Sequence, residues 1–122
     1  MQNRAAQTYG RTAQNTINPR DLEARLLIKA AMKLQAHKDN WEGLSQDLRD
    51  ALHFNRQLWT IFTTSVTRED RDMPVLLKQN IVNLGLFIFN QTISLLHEPD
   101  VAKLNALISI NREIAAGLRG NG

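Results

Sequence analysis

Apolar residues recur along this chain with a period close to 3.6, and that rhythm constrains the fold more than any other feature. Strand-like alternation does not compete with it. The one Asn-Gly pair, Asn121-Gly122, sits at the extreme C-terminus and not between two apolar runs, where a hairpin would need it. The pattern predicts an all-α protein, and turn punctuation cuts it into four main helices and a weaker N-terminal one. A chain of 122 residues suits one compact helical bundle over residues 1–122, with 119–122 as a frayed tail.

Each helix has readable ends. The N-terminal one, roughly Arg4 to Thr16, sets Ala6, Tyr9, Ala13 and Ile17 on one side. Gly10 and its many polar residues leave it needing something to dock on. The next starts with Asn18 as cap, Pro19 at the first helical position and Asp21 in the first turn, and runs to about Lys38. Leu26, Leu27, Ile28, Ala30, Ala31 and Leu34 form its apolar face, and its alanines permit close helix approach.

Ser45 caps a helix that runs to about Val66, with Leu48, Ala51, Leu52, Leu58, Trp59, Phe62 and Val66 inward. Phe54 and Ile61 widen that face sideways, so this helix should touch two neighbours. After the charged loop Thr67 to Asp72, Pro74 opens a helix to about His97. From Met73 to Leu96 its only charge is Lys78. Helices so poor in charge are normally buried on most sides, which predicts a place at the centre of the bundle. Pro99 stops it. Asp100 starts the last helix, about Val101 to Leu118, which Gly117 and Gly120 help to end.

Several function classes lose support. The chain has no cysteine, which excludes disulfides, thiolate metal sites and cysteine nucleophiles. His37, His53 and His97 fall on three different helices without metal-ligand spacing, so no metal and no cofactor is expected. No nucleophile elbow, phosphate loop or dinucleotide fingerprint occurs, and the chain does not read as an enzyme. The polar stretch Met1 to Gly10 has no apolar core of signal-peptide length. Ile81 to Leu96 is too short and too polar for membrane insertion. The charge of +3 is a mild excess. Lys29, Lys33 and Lys38 share one helix, but the aromatics lie elsewhere, so nucleic acid is an unfavoured partner.

The informative residues are amides on apolar faces. Asn55 falls among Leu48, Leu52, Trp59 and Phe62, and Asn111 among Leu104, Leu107, Ile108 and Ile114. A buried amide without partners costs about 1–3 kcal/mol, so each must bond to a neighbouring helix or to a visiting one. On the helix after Pro74, the residues Gln79, Asn80, Asn83, Asn90, Gln91 and Ser94 share about one third of the circumference, with Phe87 among them. Solvent-facing stripes normally hold Lys and Glu. Neutral amides around an aromatic suit either a protein-binding surface or a stripe packed against the N-terminal helix. The binding reading predicts an amphipathic helical partner held by Gln79, Asn80, Asn83, Phe87, Asn90, Gln91 and Ser94, with Asn55, Trp59 and Asn111 as further contacts.

Longer blocks point to a family. Asn55-Arg-Gln-Leu-Trp-Thr-Ile-Phe62, Gln79-Asn-Ile-Val-Asn-Leu-Gly-Leu-Phe-Ile-Phe89 and Ile110-Asn-Arg-Glu-Ile-Ala-Ala-Gly-Leu-Arg-Gly120 resemble the flagellar biosynthesis regulator FlaF family of alphaproteobacteria. Arg4-Ala-Ala-Gln-Thr-Tyr-Gly10 and Pro19-Arg-Asp-Leu-Glu-Ala24 fit as well. The resemblance implies a cytoplasmic regulator of flagellum biogenesis. Such a protein binds flagellin as a secretion chaperone, couples flagellin synthesis to export, and works against FlbT, a repressor acting on flagellin messenger RNA. The partners implied are flagellin and, as a further candidate, FlbT. Action on flagellin message, directly or through FlbT, and a purely structural self-associating bundle are the alternatives. The family brings no catalytic residues.

Overall fold

The structure is a computed structural model that describes residues 18–120. The helix expected at Arg4 to Thr16 lies outside the described residues. Within them the chain forms four α-helices and no strand: α1 Pro19–Asp39, α2 Gln46–Val66, α3 Val75–His97 and α4 Val101–Leu118.

The ends follow from the capping chemistry. Asn18 Oδ1 accepts from the Arg20 N–H at 2.9 Å, with Pro19 opening α1. Ser45 Oγ accepts from the Leu48 N–H at 3.1 Å, and Asp100 Oδ1 from the Ala102 N–H at 3.0 Å. Each satisfies one of the donors that a helix start leaves free. Pro74 takes the cap position of α3 and offers no side-chain acceptor. Gly120, at φ +76°, turns the chain out of α4. Gly117 lies within that helix and does not end it.

The helices run up and down and close into a ring. α1 packs most extensively on α4 and also on α2, α2 packs on α3, and α3 meets α4. Short connections between consecutive helices make them antiparallel neighbours. The close α1–α4 approach rests on the small side chains of Ala24, Ala30, Ala31 and Ala115, all buried. Around them Leu27, Leu34, Leu48, Leu52, Trp59, Phe62, Leu104 and Leu107 fill the interior.

The central position expected for α3 is corrected by the structure. Its buried residues are Ile81, Gly85, Ile88, Thr92 and Leu95, a single row spaced 4, 3, 4 and 3 residues apart. That is the narrow seam of a helix held on one side. The lack of charge marks an outward surface and not enclosure. Ile61 departs in the same direction: it was expected to extend an apolar face, and it is 68% exposed. α2 does touch two neighbours, α1 and α3.

One end of the ring is fastened by ions. Arg71 in the α2–α3 loop donates to both carboxylate oxygens of Glu23 on α1 and to Ser65 Oγ at 3.0 Å. Both side chains are largely buried. The hydrogen bond to the Glu23 carboxylate, helped by its charge and opposed by burial, holds the Arg71 guanidinium above its ordinary pKa. Arg20 adds a bond to the Asp72 carbonyl at 3.0 Å.

Candidate functional site

The structure divides the ten residues singled out from the sequence into two groups. Asn55, Trp59 and Asn111 are fully buried and meet one another. The Trp59 indole N–H donates to Asn111 Oδ1 at 2.8 Å. Asn111 Nδ2 donates to Asn55 Oδ1 at 2.7 Å and to the Leu27 carbonyl at 3.3 Å. The indole donor fixes which end of the Asn111 amide is oxygen. These bonds are the cross-helix register bonds that a buried amide requires. Asn55 Nδ2 is the one buried side-chain polar atom without an acceptor among the described residues.

The second group lies on the outside of α3. Gln79, Asn80, Asn83, Phe87 and Asn90 are exposed, while Gln91 and Ser94 are half-buried where α3 turns toward α4. Gln91 Nε2 donates to the Lys103 carbonyl at 3.3 Å. Lys103 Nζ donates to the Ser94 carbonyl at 3.4 Å and the Glu98 carbonyl at 2.8 Å. Neither the amide of Gln79 nor those of Asn80, Asn83 and Asn90 makes a hydrogen bond among the described residues.

Apolar side chains flank this row in a way the wheel alone did not reveal. Val75, Leu76, Leu86, Phe87, Ile93 and Leu96 are all exposed, Leu76 by 80% and Phe87 by 43%. At about 100° per residue, Val75, Leu86 and Ile93 border one side of the Gln79–Asn83–Asn90 row, and Leu76 and Phe87 the other. The lone charge is occupied, because Lys78 Nζ donates to the Arg68 carbonyl at 2.9 Å. Beside it, Thr67, Val75, Lys78, Gln79, Val82 and Asn83 line an open cleft of about 250 Å³. An uncharged helix face with apolar borders of this length exceeds the scattered exposure of an ordinary surface.

Two features were out of reach of the sequence reading. Gly85 sits where α3 crosses α2: a Cβ there would lie 2.8 Å from Thr63 Cγ2 and 3.6 Å from Trp59 Cε3. A glycine inside an apolar helical run is the only signal for such a crossing. The second feature is a correction. Phe54 was not expected beside the lysines of α1, yet Lys29 Nζ and Lys33 Nζ lie 5.7 and 5.3 Å from its ring centroid. Asp47 and Asp50 share a cleft with Lys33 and His37 there, so the patch has both signs of charge.

No three acidic or histidine side chains cluster to hold a metal among the described residues. No described helix is long and apolar enough to cross a membrane. What the fold and this face define is a helical bundle that offers one uncharged helix face to its surroundings. The chain matches the family of the flagellar protein FlaF over residues 5–118. It belongs to that family, whose role lies in flagellum biogenesis and which is a regulatory family rather than a known enzyme family. No curated protein and no solved structure matches the chain.

Proposed function

We propose that this protein binds flagellin in the cytoplasm as a secretion chaperone, coupling flagellin synthesis to export, and that the outward face of α3 does the binding. The observation supporting it is that face: Gln79, Asn83 and Asn90 exposed between apolar rows, with Phe87 as the aromatic anchor. Interface centres deplete charge and favour aromatic anchors within reach of directional hydrogen bonds. An amphipathic helix laid along α3 gains apolar burial from the borders and specificity from the carboxamides. Asn55, Trp59 and Asn111 serve this by setting the helices in register, not by touching the partner.

Direct action on messenger RNA is less well supported. Among the described residues the basic site with an aromatic is Lys29, Lys33 and Phe54, and the carboxylates of Asp47 and Asp50 close by would repel phosphate. Co-purification with flagellin, with and without FlbT, tests the proposal. Flagellin should be retained by the wild type and lost with Phe87→Ala while the helical circular-dichroism signal stays. Absence of flagellin from the wild-type eluate under mild salt overturns the chaperone role, and unfolding of Phe87→Ala would make Phe87 a core residue.

A further inference from the structure

Four of the six polar residues singled out on α3 are placed palindromically. Gln79, Asn83, Asn90 and Ser94 lie at equal distances on either side of the midpoint between Leu86 and Phe87. That midpoint nearly coincides with the middle of the helix, Val75–His97. The four share an arc of about 60° on the wheel. We infer that two copies of this protein pair through α3 in an antiparallel, two-fold arrangement, and that this pairing covers the docking face until a partner displaces it. The consequence for the partner rests on the reading of α3 given above, but the pairing itself concerns this protein alone.

The chemistry of the face fits a second copy of itself. A two-fold axis presents each patch to itself, so the patch must be self-complementary. A carboxamide both donates and accepts, so opposed amides bond in a way that opposed lysines or glutamates never can. In the antiparallel pair, Asn83 falls opposite Asn90 of the second copy, Gln79 opposite Ser94, and Leu86 opposite Phe87. Antiparallel helix dipoles also attract. No lysine, arginine or carboxylate on this arc opposes the approach, since Lys78 is turned to the loop carbonyl of Arg68.

Size sets the strength. A helix of 23 residues is about 34 Å long, and a strip about 10 Å wide along it buries some 700 Å² in total for both copies. That is below the roughly 1,200 Å² at which stable interfaces begin. The pair is therefore weak, with a dissociation constant on the order of 100 μM, and a partner with a larger footprint displaces it.

Sedimentation velocity of the full chain from about 5 μM to about 1 mM reads this directly. The wild type should pass from monomer to dimer across that range. Asn83→Lys should stay monomeric, and the double variant Asn83→Lys, Asn90→Asp should dimerise again, because each new lysine then faces an aspartate of the second copy. A wild type that is monomeric throughout, or an Asn83→Lys that dimerises as the wild type does, overturns the pairing. So does a double variant that remains monomeric. Adding flagellin should shift the wild-type dimer to a one-to-one complex. If flagellin binds and the dimer persists, the pairing uses another face and the inference falls while the chaperone reading stands. If the dimer forms as described and flagellin never binds, the chaperone reading falls and the pairing stands.

Discussion

Asn111 joins three of the four helices through one side chain: its own α4, α2 at Trp59 and Asn55, and α1 at the Leu27 carbonyl. Replacing it by leucine strands the indole N–H and the Asn55 carboxamide in a buried interior. With about 1–3 kcal/mol for each unsatisfied buried group, Asn111→Leu should lower the unfolding free energy by about 3 kcal/mol. Asn55→Leu removes one acceptor together with a donor that has none, and should cost about 1 kcal/mol. Urea unfolding of the two variants checks that order, and an equal loss would refute the network's arrangement. Position on the wheel was enough to flag both amides, because polar residues on apolar arcs are anomalous whatever the fold. Their mutual bonding was not legible, since it depends on how α2 and α4 face each other across the ring. Gly85 makes the same point. Gly85→Ala should cost about 1 kcal/mol, the clash with the Thr63 methyl outweighing the better helix propensity of alanine. Thr63→Ser removes that methyl and keeps the hydroxyl that bonds the Trp59 carbonyl. In a double-mutant cycle it should therefore suppress the cost.

At the scale of elements, the helix ends were written in the sequence because caps are local chemistry. Asn18-Pro19, Ser45 and Asp100 each act within three residues of themselves. The placing of α3 was not local. Lack of charge signals removal from water, but it does not say whether the chain's own helices or another molecule does the removing. The buried row Ile81, Gly85, Ile88, Thr92 and Leu95 occupies one side only. The charged loop before α3 likewise had no distinctive pattern, yet Arg71 within it ties the loop to α1 through Glu23. Removing one member of a largely buried ion pair leaves the other desolvated. Arg71→Met should cost about 2 kcal/mol, and the double variant with Glu23→Met should recover part of it. Thermal unfolding of the set measures this, and a double variant as unstable as the sum of the singles would deny the coupling. The exposed pair Arg68–Asp70 holds the Asp70 carboxyl below its ordinary pKa through its hydrogen bond and charge. Any stability from it is present above the unfolded carboxyl pKa and is lost as pH falls. In full contact with water it contributes little.

At the scale of the whole molecule, the described residues form a ring of four helices with the Asn55–Trp59–Asn111 network sealed inside and one uncharged face left outside. Four-helix bundles usually clothe every outer face in Lys and Glu, as α1 and α2 do here with Lys29, Lys33, Arg49 and Arg56. α3 stands apart from that rule, and in a family of flagellar proteins the exception is where a partner is to be sought. An uncharged interface releases few counterions, so flagellin affinity should change less than about threefold between 50 and 500 mM salt. An RNA complex would lose orders of magnitude over the same range.

Calorimetric titration of flagellin into surface variants tests the central claim most directly. Phe87→Ala and Asn83→Lys on α3 should each weaken binding by about 30-fold, the size of an interface anchor, while Lys33→Glu on α1 should leave it unchanged. Full affinity in both α3 variants, or loss confined to Lys33→Glu, would contradict the account.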